Sequence, residues 1–305
     1  MESLQTTKRR IKGTQNIGQI TKAMELVAAT RMRKSQEVAL NSRPYSFAAL
    51  DLLANIVNMP GIVLPPLLVE RPVKHTLVVV VASDKGLAGS FNSSVFRVVE
   101  EFLKKEKTDE MSFVAVGTKT TKFLERRGVT LLKSFVKVGD MTELDEVSPL
   151  ADFVVKGYEE KKWDKVIVFS THFRTALRQE VLRRDILPVN TLKLKDSVRE
   201  IVPESGRFSN LRKELEAFMT FNPAEYIIEP SPSELLEALV PHLVLMQFYF
   251  LVLEANASEH AARRMAMESA SSNAEDLVAE LTKSFNKSRQ AAITREIIEV
   301  TSSAS

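Results

Sequence analysis

Two stretches of this 305-residue chain have glycines where a phosphate could be cradled. Gly13-Thr-Gln-Asn-Ile-Gly18 has the G-x-x-x-x-G spacing, but Gln19 and Ile20 follow where a phosphate loop needs Lys and Ser or Thr, and no strand precedes it. Ser83-Asp84-Lys85-Gly86-Leu87-Ala88-Gly89-Ser90-Phe91-Asn92 sits after a strand-like run, where a dinucleotide would bind. It lacks G-x-G-x-x-G, and the Asp84 carboxylate would repel a phosphate. It reads instead as a glycine-shaped loop that packs or contacts a protein. His75 and His172 stand alone, and no H-E-x-x-H, G-x-S-x-G or clustered ligand set appears. The absence of cysteine removes disulfides, thiolate catalysis and zinc–thiolate sites. No cofactor and no metal is expected.

The elements that would carry function are helical. From His242 to Ser305 there is no glycine or proline, and Leu239, Met246, Leu253, His260, Met267, Ala274 and Leu281 recur at strict sevenths. Such recurrence keeps one helix face toward one neighbour, as in a coiled coil. At 1.5 Å per residue the run would reach roughly 95 Å, so a projecting rod is expected. Ser231-Pro232-Ser233-Glu234 marks its start: a serine cap, proline at the first helical position and glutamate closing the S-x-x-E box. Three residues beyond each stripe position, a companion row reads His242, Tyr249, Asn256, Arg263, Ala270, Leu277 and Ser284. Asn256, His260 and Arg263 thereby place polar groups on the seam, where they can fix register.

A partner for this helix is available within the chain. Residues 1–43 contain no proline before Pro44, and Leu4, Ile11, Ile20, Met24, Val27 and Val38 supply an apolar face at helical spacing. Gly13 and Gly18 either weaken this helix or allow close approach. The segment carries nine basic and three acidic residues, whereas residues 233–305 carry six basic and ten acidic, so the two ends attract. An antiparallel shaft follows, with Pro44 kinking or ending the first helix before Phe47–Met59.

The middle reads as α/β. Thr76–Ala82, Met111–Gly117 and Lys165–Ser170 are buried strands by their β-branched runs, alternating with helices at Ser93–Lys107, Thr118–Arg127 and Pro149–Lys161. Further strands are expected near Glu180–Leu187, antiparallel or at an edge, and Glu225–Glu229. The expected fold is α/β: an antiparallel coiled coil of N- and C-terminal helices plus a Rossmann-like α/β domain. Its organisation is 1–58 for the N-terminal coiled-coil helix, 59–72 for a linker, 73–230 for the α/β domain and 231–305 for the C-terminal helix. No transmembrane helix, secretory signal or organellar presequence is expected. The basic N-terminal arm lacks aromatic interleaving, so nucleic acid is not expected as a partner.

Several blocks resemble the γ subunit of F-type ATP synthase, bacterial type. They are Ile20-Thr-Lys-Ala-Met-Glu-Leu-Val-Ala-Ala29 with Arg31-Met-Arg-Lys34, the Ser83–Asn92 loop, Ala257-Ser-Glu-His-Ala-Ala-Arg263, and Asn286-Lys-Ser-Arg-Gln-Ala-Ala-Ile-Thr-Arg-Glu296. They lie in order over nearly the whole chain. The resemblance implies a central-stalk rotor that turns inside a cylinder of three α and three β subunits, with subunit ε and the membrane c-ring at its body. It implies a peripheral location on the cytoplasmic face of the bacterial plasma (inner) membrane, and a non-catalytic subunit of an ion-driven ATP synthase.

The same resemblance implies a polar catch on β made by Arg289, Gln290, Thr294 and Glu296, with Gln290 and Thr294 one turn apart on one face. It implies that Lys22, Met24, Arg31, Arg33 and Lys34 face an acidic loop of β. Ile293, Ile297, Ile298 and Val300 form an apolar bearing or pack on the N-terminal helix. Asp84, Lys85 and Asn92 contact the base of β. Arg295 stands where the family commonly has lysine, which keeps the charge. Two rival classes stay open: a stand-alone α/β enzyme with helical arms, and a coiled-coil adaptor or nucleic-acid scaffold with an α/β body.

Overall fold

The β-branched run Thr76-Leu-Val-Val-Val-Val81 forms a strand buried along its whole length, as expected of the centre of a sheet covered on both faces. In the computed structural model of the chain, which describes residues 4–41, 43–57, 59, 61–106, 110–138, 143–190 and 228–303, this is β1. Around it lie β2 (Met111–Val116), β3 (Leu131–Phe135), β4 (Lys165–Phe173) and β5 (Gln179–Leu187), in the order β3-β2-β1-β4-β5. The first four are parallel, with Thr76 opposite both Met111 and Lys165. β5 runs antiparallel to β4 at the edge, as the sequence suggested.

The helices are α1 (Leu4–Asn41), α2 (Arg43–Val57), α3 (Phe91–Lys105), α4 (Thr118–Arg127), α5 (Leu144–Glu159) and α6 (Pro232–Ser303). Alternation along β1 divides the core. Val78 and Val80 join Phe113, Phe169 and the apolar faces of α3 and α4. Leu77, Val79 and Val81 join α2, α5 and the first third of α6 on the opposite face. The chain forms two compact units: Met1–Ala29 with Arg263–Ser305, and Thr30–Ala262.

Several expectations change in detail. α1 ends at Asn41 and a new helix opens at Arg43, so Pro44 lies in a first turn, where its missing N–H costs nothing. α5 begins five residues before Pro149, because Glu143 and Glu146 form a reciprocal capping box; the proline is tolerated inside the helix. β3 is a short edge strand whose three middle residues are exposed, so it lacks the apolar run that marked its neighbours. The strand expected near 225–229 lies, but for its last two residues, outside the described residues.

α6 starts where the sequence placed it. The Ser231 hydroxyl accepts from the Glu234 N–H and donates to its carboxylate. One stretch of α6 is long and apolar enough by composition to cross a membrane, despite Pro241, His242 and Gln247, but slightly over half of that stretch is buried within the protein.

Candidate partner-binding surface

In the unit formed by the two chain ends, α1 and α6 pack as an antiparallel pair. Thr21 Oγ1 lies 2.8 Å from Ser271 Oγ, and a Cβ built on Gly18 would sit 3.4 Å from that of Ala274. The residue numbers of each pair sum to the same value, as antiparallel register requires. On α6 the stripe Met267, Ala274 and Leu281 faces the seam as expected. The companion row, however, is Ser271, Val278 and Phe285, four residues beyond each stripe position; Leu277 and Ser284 point outward. A coiled-coil seam alternates steps of three and four, and the chain takes the four first.

The seam of α1 also differs from expectation. Its covered rows are Leu4, Ile11, Gly18 and Glu25, interleaved with Thr7, Thr14, Thr21 and Ala28. Ile20 and Val27, expected in the packed face, are 60% and 51% exposed, and Ile17 and Leu26 join them on the outer surface. Small residues at sevenths were the overlooked signal. They admit a second helix at close range, which larger side chains would hold off. Gly18 does serve close approach, whereas nothing lies within 4 Å of a Cβ on Gly13.

The register has a consequence at the far end. It brings Leu4 opposite residue 288, so α6 from Arg289 to Ser303 runs past the first described residue of its partner. Ile293, Ile297, Ile298 and Val300 are accordingly 48–67% exposed, and none is packed away against α1. Arg289, Gln290, Thr294 and Glu296 are exposed on the same 15 residues, and Thr294 Oγ1 donates 2.9 Å back to the Gln290 carbonyl. A helix of this length is marginal on its own, and its apolar groups remain in water until something covers them.

The cations of α1 are unequal. Lys22 donates 2.9 Å to Glu25; that hydrogen bond, then the Glu25 charge, holds its pKa above the ordinary lysine value, with Glu268 and Glu275 of α6 adding to it. Its charge is thus partly compensated. Met24 is half-buried in the same unit. In the other unit Arg31 is half-buried, while Arg33 and Lys34 are exposed.

The Ser83–Asn92 loop is pinned from within. Asp84 accepts through one oxygen from the Thr118 N–H and hydroxyl at 2.8 and 2.6 Å, and through the other from the Lys137 N–H at 2.9 Å. Asn92 accepts from the Ser83 N–H and hydroxyl. Lys85 and Leu87 are exposed, and Leu87 holds a left-handed φ of 62°. Behind the loop lies a cavity of about 200 Å³ at the ends of β1 and β2, whose charged lining is Asp84, Lys85, Lys137 and Glu259. This mixture gives an anion no clear attraction, and both Asp84 oxygens are already engaged. Among the described residues no group of three or more His, Asp or Glu is placed to hold a metal.

His172 does not stand alone. Its Nδ1 lies 3.1 Å from Glu254 Oε2, which also accepts from Arg184 Nη1 at 3.1 Å, and Arg184 Nη2 is 3.2 Å from the same Nδ1. All three groups are buried. Burial alone would raise the Glu254 pKa, but the Arg184 charge and the His172 contact hold it below the usual carboxylate range. Sequence reading missed the cluster because its members stand 12 and 70 residues apart. The clue was a carboxylate directly following the hydrophobic run Phe248–Leu253. His75 likewise has a partner, with Nε2 2.8 Å from Ser112 Oγ.

Comparison with known proteins agrees with this architecture. A family model described as ATP synthase matches residues 3–305. The ATP synthase gamma chain of Geotalea daltonii is 34% identical over 100% of this chain and 98% of its own length. That of Moorella thermoacetica is 35% identical over 100% and 99%. Among solved structures, a chain of the Tetrahymena thermophila mitochondrial ATP synthase central stalk and c-ring has a TM-score of 0.59 at 24% identity, covering 83% of this chain and 99% of that one. A chain of the Euglena gracilis mitochondrial ATP synthase rotor has a TM-score of 0.58 at 17% identity, covering 95% and 98%. With the paired terminal helices and five-stranded body in hand, these full-length matches show that the chain belongs to the ATP synthase gamma-chain family.

Proposed function

We propose that this chain is the central-stalk rotor of an F-type ATP synthase. In this reading the paired segments 1–58 and 231–305 turn inside a cylinder of three α and three β subunits. The body, residues 73–230, meets subunit ε and the c-ring, and residues 59–72 link it to the N-terminal helix. The carrying observation is the bare end of α6: 15 helical residues past the start of α1 that hold four exposed large apolar side chains beside a polar motif. Apolar surface of this kind is stable when a partner encloses it, and a ring encloses a helix end without gripping one side permanently.

Ile293, Ile297, Ile298 and Val300 then form the bearing, and Arg289, Gln290, Thr294 and Glu296 the catch on β. Lys22, Met24, Arg31, Arg33 and Lys34 attract the acidic loop of β, and the Asp84–Asn92 loop meets its base. Because Asp84 and Asn92 spend their side chains on holding that loop, its contact is made chiefly through Lys85 and the backbone they shape. The chain contributes no catalytic residue: ATP is made and cleaved on β, and rotation of an asymmetric shaft drives the three sites through different affinities. The complex lies on the cytoplasmic face of the bacterial inner membrane, with this chain peripheral to it.

The test is reconstitution with the α and β subunits of its own organism. A 3:3:1 complex that hydrolyses ATP is expected. Failure to assemble, with each component folded, would sink the reading.

A further inference from the structure

Six consecutive residues of α6, Phe248-Tyr-Phe-Leu-Val-Leu253, are buried, and all but Tyr249, which carries a hydroxyl, are wholly apolar. They therefore surround the helix, and 3.6 residues per turn leave no solvent face among them. Burial of apolar surface is non-directional, so the five apolar residues favour a buried helix without choosing its rotation about its own axis. The next residue does choose. Glu254 is 5% exposed, and its Oε2 meets Arg184 of β5 and His172 of β4, each at 3.1 Å. Turning the helix by one residue, about 100°, would carry the buried carboxylate away from both Arg184 and His172. Alternation along the strands places His172 and Arg184 on the same sheet face as Val166, Val168 and Ile186, the face that α6 covers.

We infer that Glu254, Arg184 and His172 key α6 to the sheet, fixing the helix's rotational setting so that it cannot turn in its apolar seat under torque. The inference rests on the rotor reading. These are positioning residues, buried within the chain, that act through the helix they hold. α6 is one helix from Pro232 to Ser303, so a slip at Glu254 would uncouple the catch at Arg289–Glu296 from the body without altering the catch itself.

The deciding variant replaces the key by apolar groups of similar volume, Glu254→Met, Arg184→Met and His172→Leu together, because such replacements commonly preserve stability while removing directional bonds. It is compared with the parent in the complete membrane complex in sealed vesicles, together with its thermal midpoint and the ATP hydrolysis of the α3β3 complex. Expected are a parental midpoint, parental hydrolysis, and ions pumped per ATP reduced severalfold, more steeply as the opposing gradient grows. A folded triple variant that pumps as the parent does at every gradient overturns the proposal. Should the triple variant not fold, Arg184→Lys decides, since it keeps the charge and loses the fork. A lowered pumping ratio supports the key, and a parental ratio refutes it. Failure of the parent to assemble would count against the rotor reading, a separate outcome.

Discussion

The hydroxyl oxygens of Thr21 and Ser271 lie 2.8 Å apart across the two helices of the coiled coil, and either can donate. This bond sits where Met267 and Ala274 bury one side of the seam, so it pins the antiparallel register that apolar contact alone would leave loose. Thr21 also donates toward the Ile17 or Gly18 carbonyl, so it has an alternative partner and Ser271 depends more on the pair.

Thr21→Val, which keeps the shape and removes the donor, should therefore lower stability by about 1 kcal/mol, with Ser271→Ala costing little more in the double variant. Denaturant unfolding of the four chains of this cycle measures the coupling. Strict additivity would assign the bond no energetic role.

Two glycines should respond oppositely to alanine. Gly13 has open space around its Cβ position in a helix interior, so Gly13→Ala should stabilise by about 0.5–1 kcal/mol through propensity. At Gly157 the new Cβ would fall 1.9 Å from the Trp163 ring, which is held by its N–H bond to the Val154 carbonyl at 3.0 Å. Gly157→Ala should cost about 1–3 kcal/mol or more. Thermal unfolding read through the single tryptophan checks both.

Acid should loosen the body first at its ion clusters. The pKa of Glu254 is depressed against the opposing effect of burial, and so is that of Asp164, which accepts from the Lys74 and His75 N–H groups and from Arg71. A depressed carboxylate contributes stability above its unfolded pKa and loses it as pH falls through that value toward the folded one. Stability should be flat in these contributions between about pH 6 and 8 and fall below about pH 4.5. Glu254→Gln should cost about 3–5 kcal/mol at neutral pH, by removing the buried negative charge that Arg184 and His172 face, and should flatten the acid decline. Urea midpoints measured against pH give the comparison.

Exposed apolar residues at the end of α6 should matter to assembly and hardly to folding. Ile293→Ser, Ile297→Ser and Ile298→Ser should each change the stability of the isolated chain by about 0.5 kcal/mol or less. They should weaken association with α and β, measured by titration of the labelled chain. A loss of more than that from the isolated chain would mean the groups are packed within it.

Arg289→Ala with Gln290→Ala should leave the isolated chain's melting unchanged, because both residues are exposed and Thr294 uses only the Gln290 carbonyl. Torque or hydrolysis of the assembled complex should fall. Parental values for both would remove these residues from the catch.

Local signals in the sequence were strong enough to determine the elements and most of their limits. Ser231 and Glu234 cap α6 because the box is built from neighbouring residues, and β1 is central because Leu77–Val81 leaves no polar face. The stripe from Met246 to Ala274 predicted one covered side of a helix, and every member is buried. The motif Arg289–Glu296 was legible as a motif. What a periodic pattern cannot state is which side of the stripe the second row falls on, since steps of three and four satisfy it equally. Only docking of α1 chose Ser271, Val278 and Phe285 over Leu277 and Ser284, and left Ile20 and Val27 outside. Tertiary structure also decided what depends on residues far apart in the chain. The register of Thr21 on Ser271 leaves the last turns of α6 bare, and the folding of β4, β5 and α6 together turns His172 from a lone histidine into part of a buried cluster. Local chemistry sets the helices and strands; the geometry of their pairing determines which side chains remain for a partner.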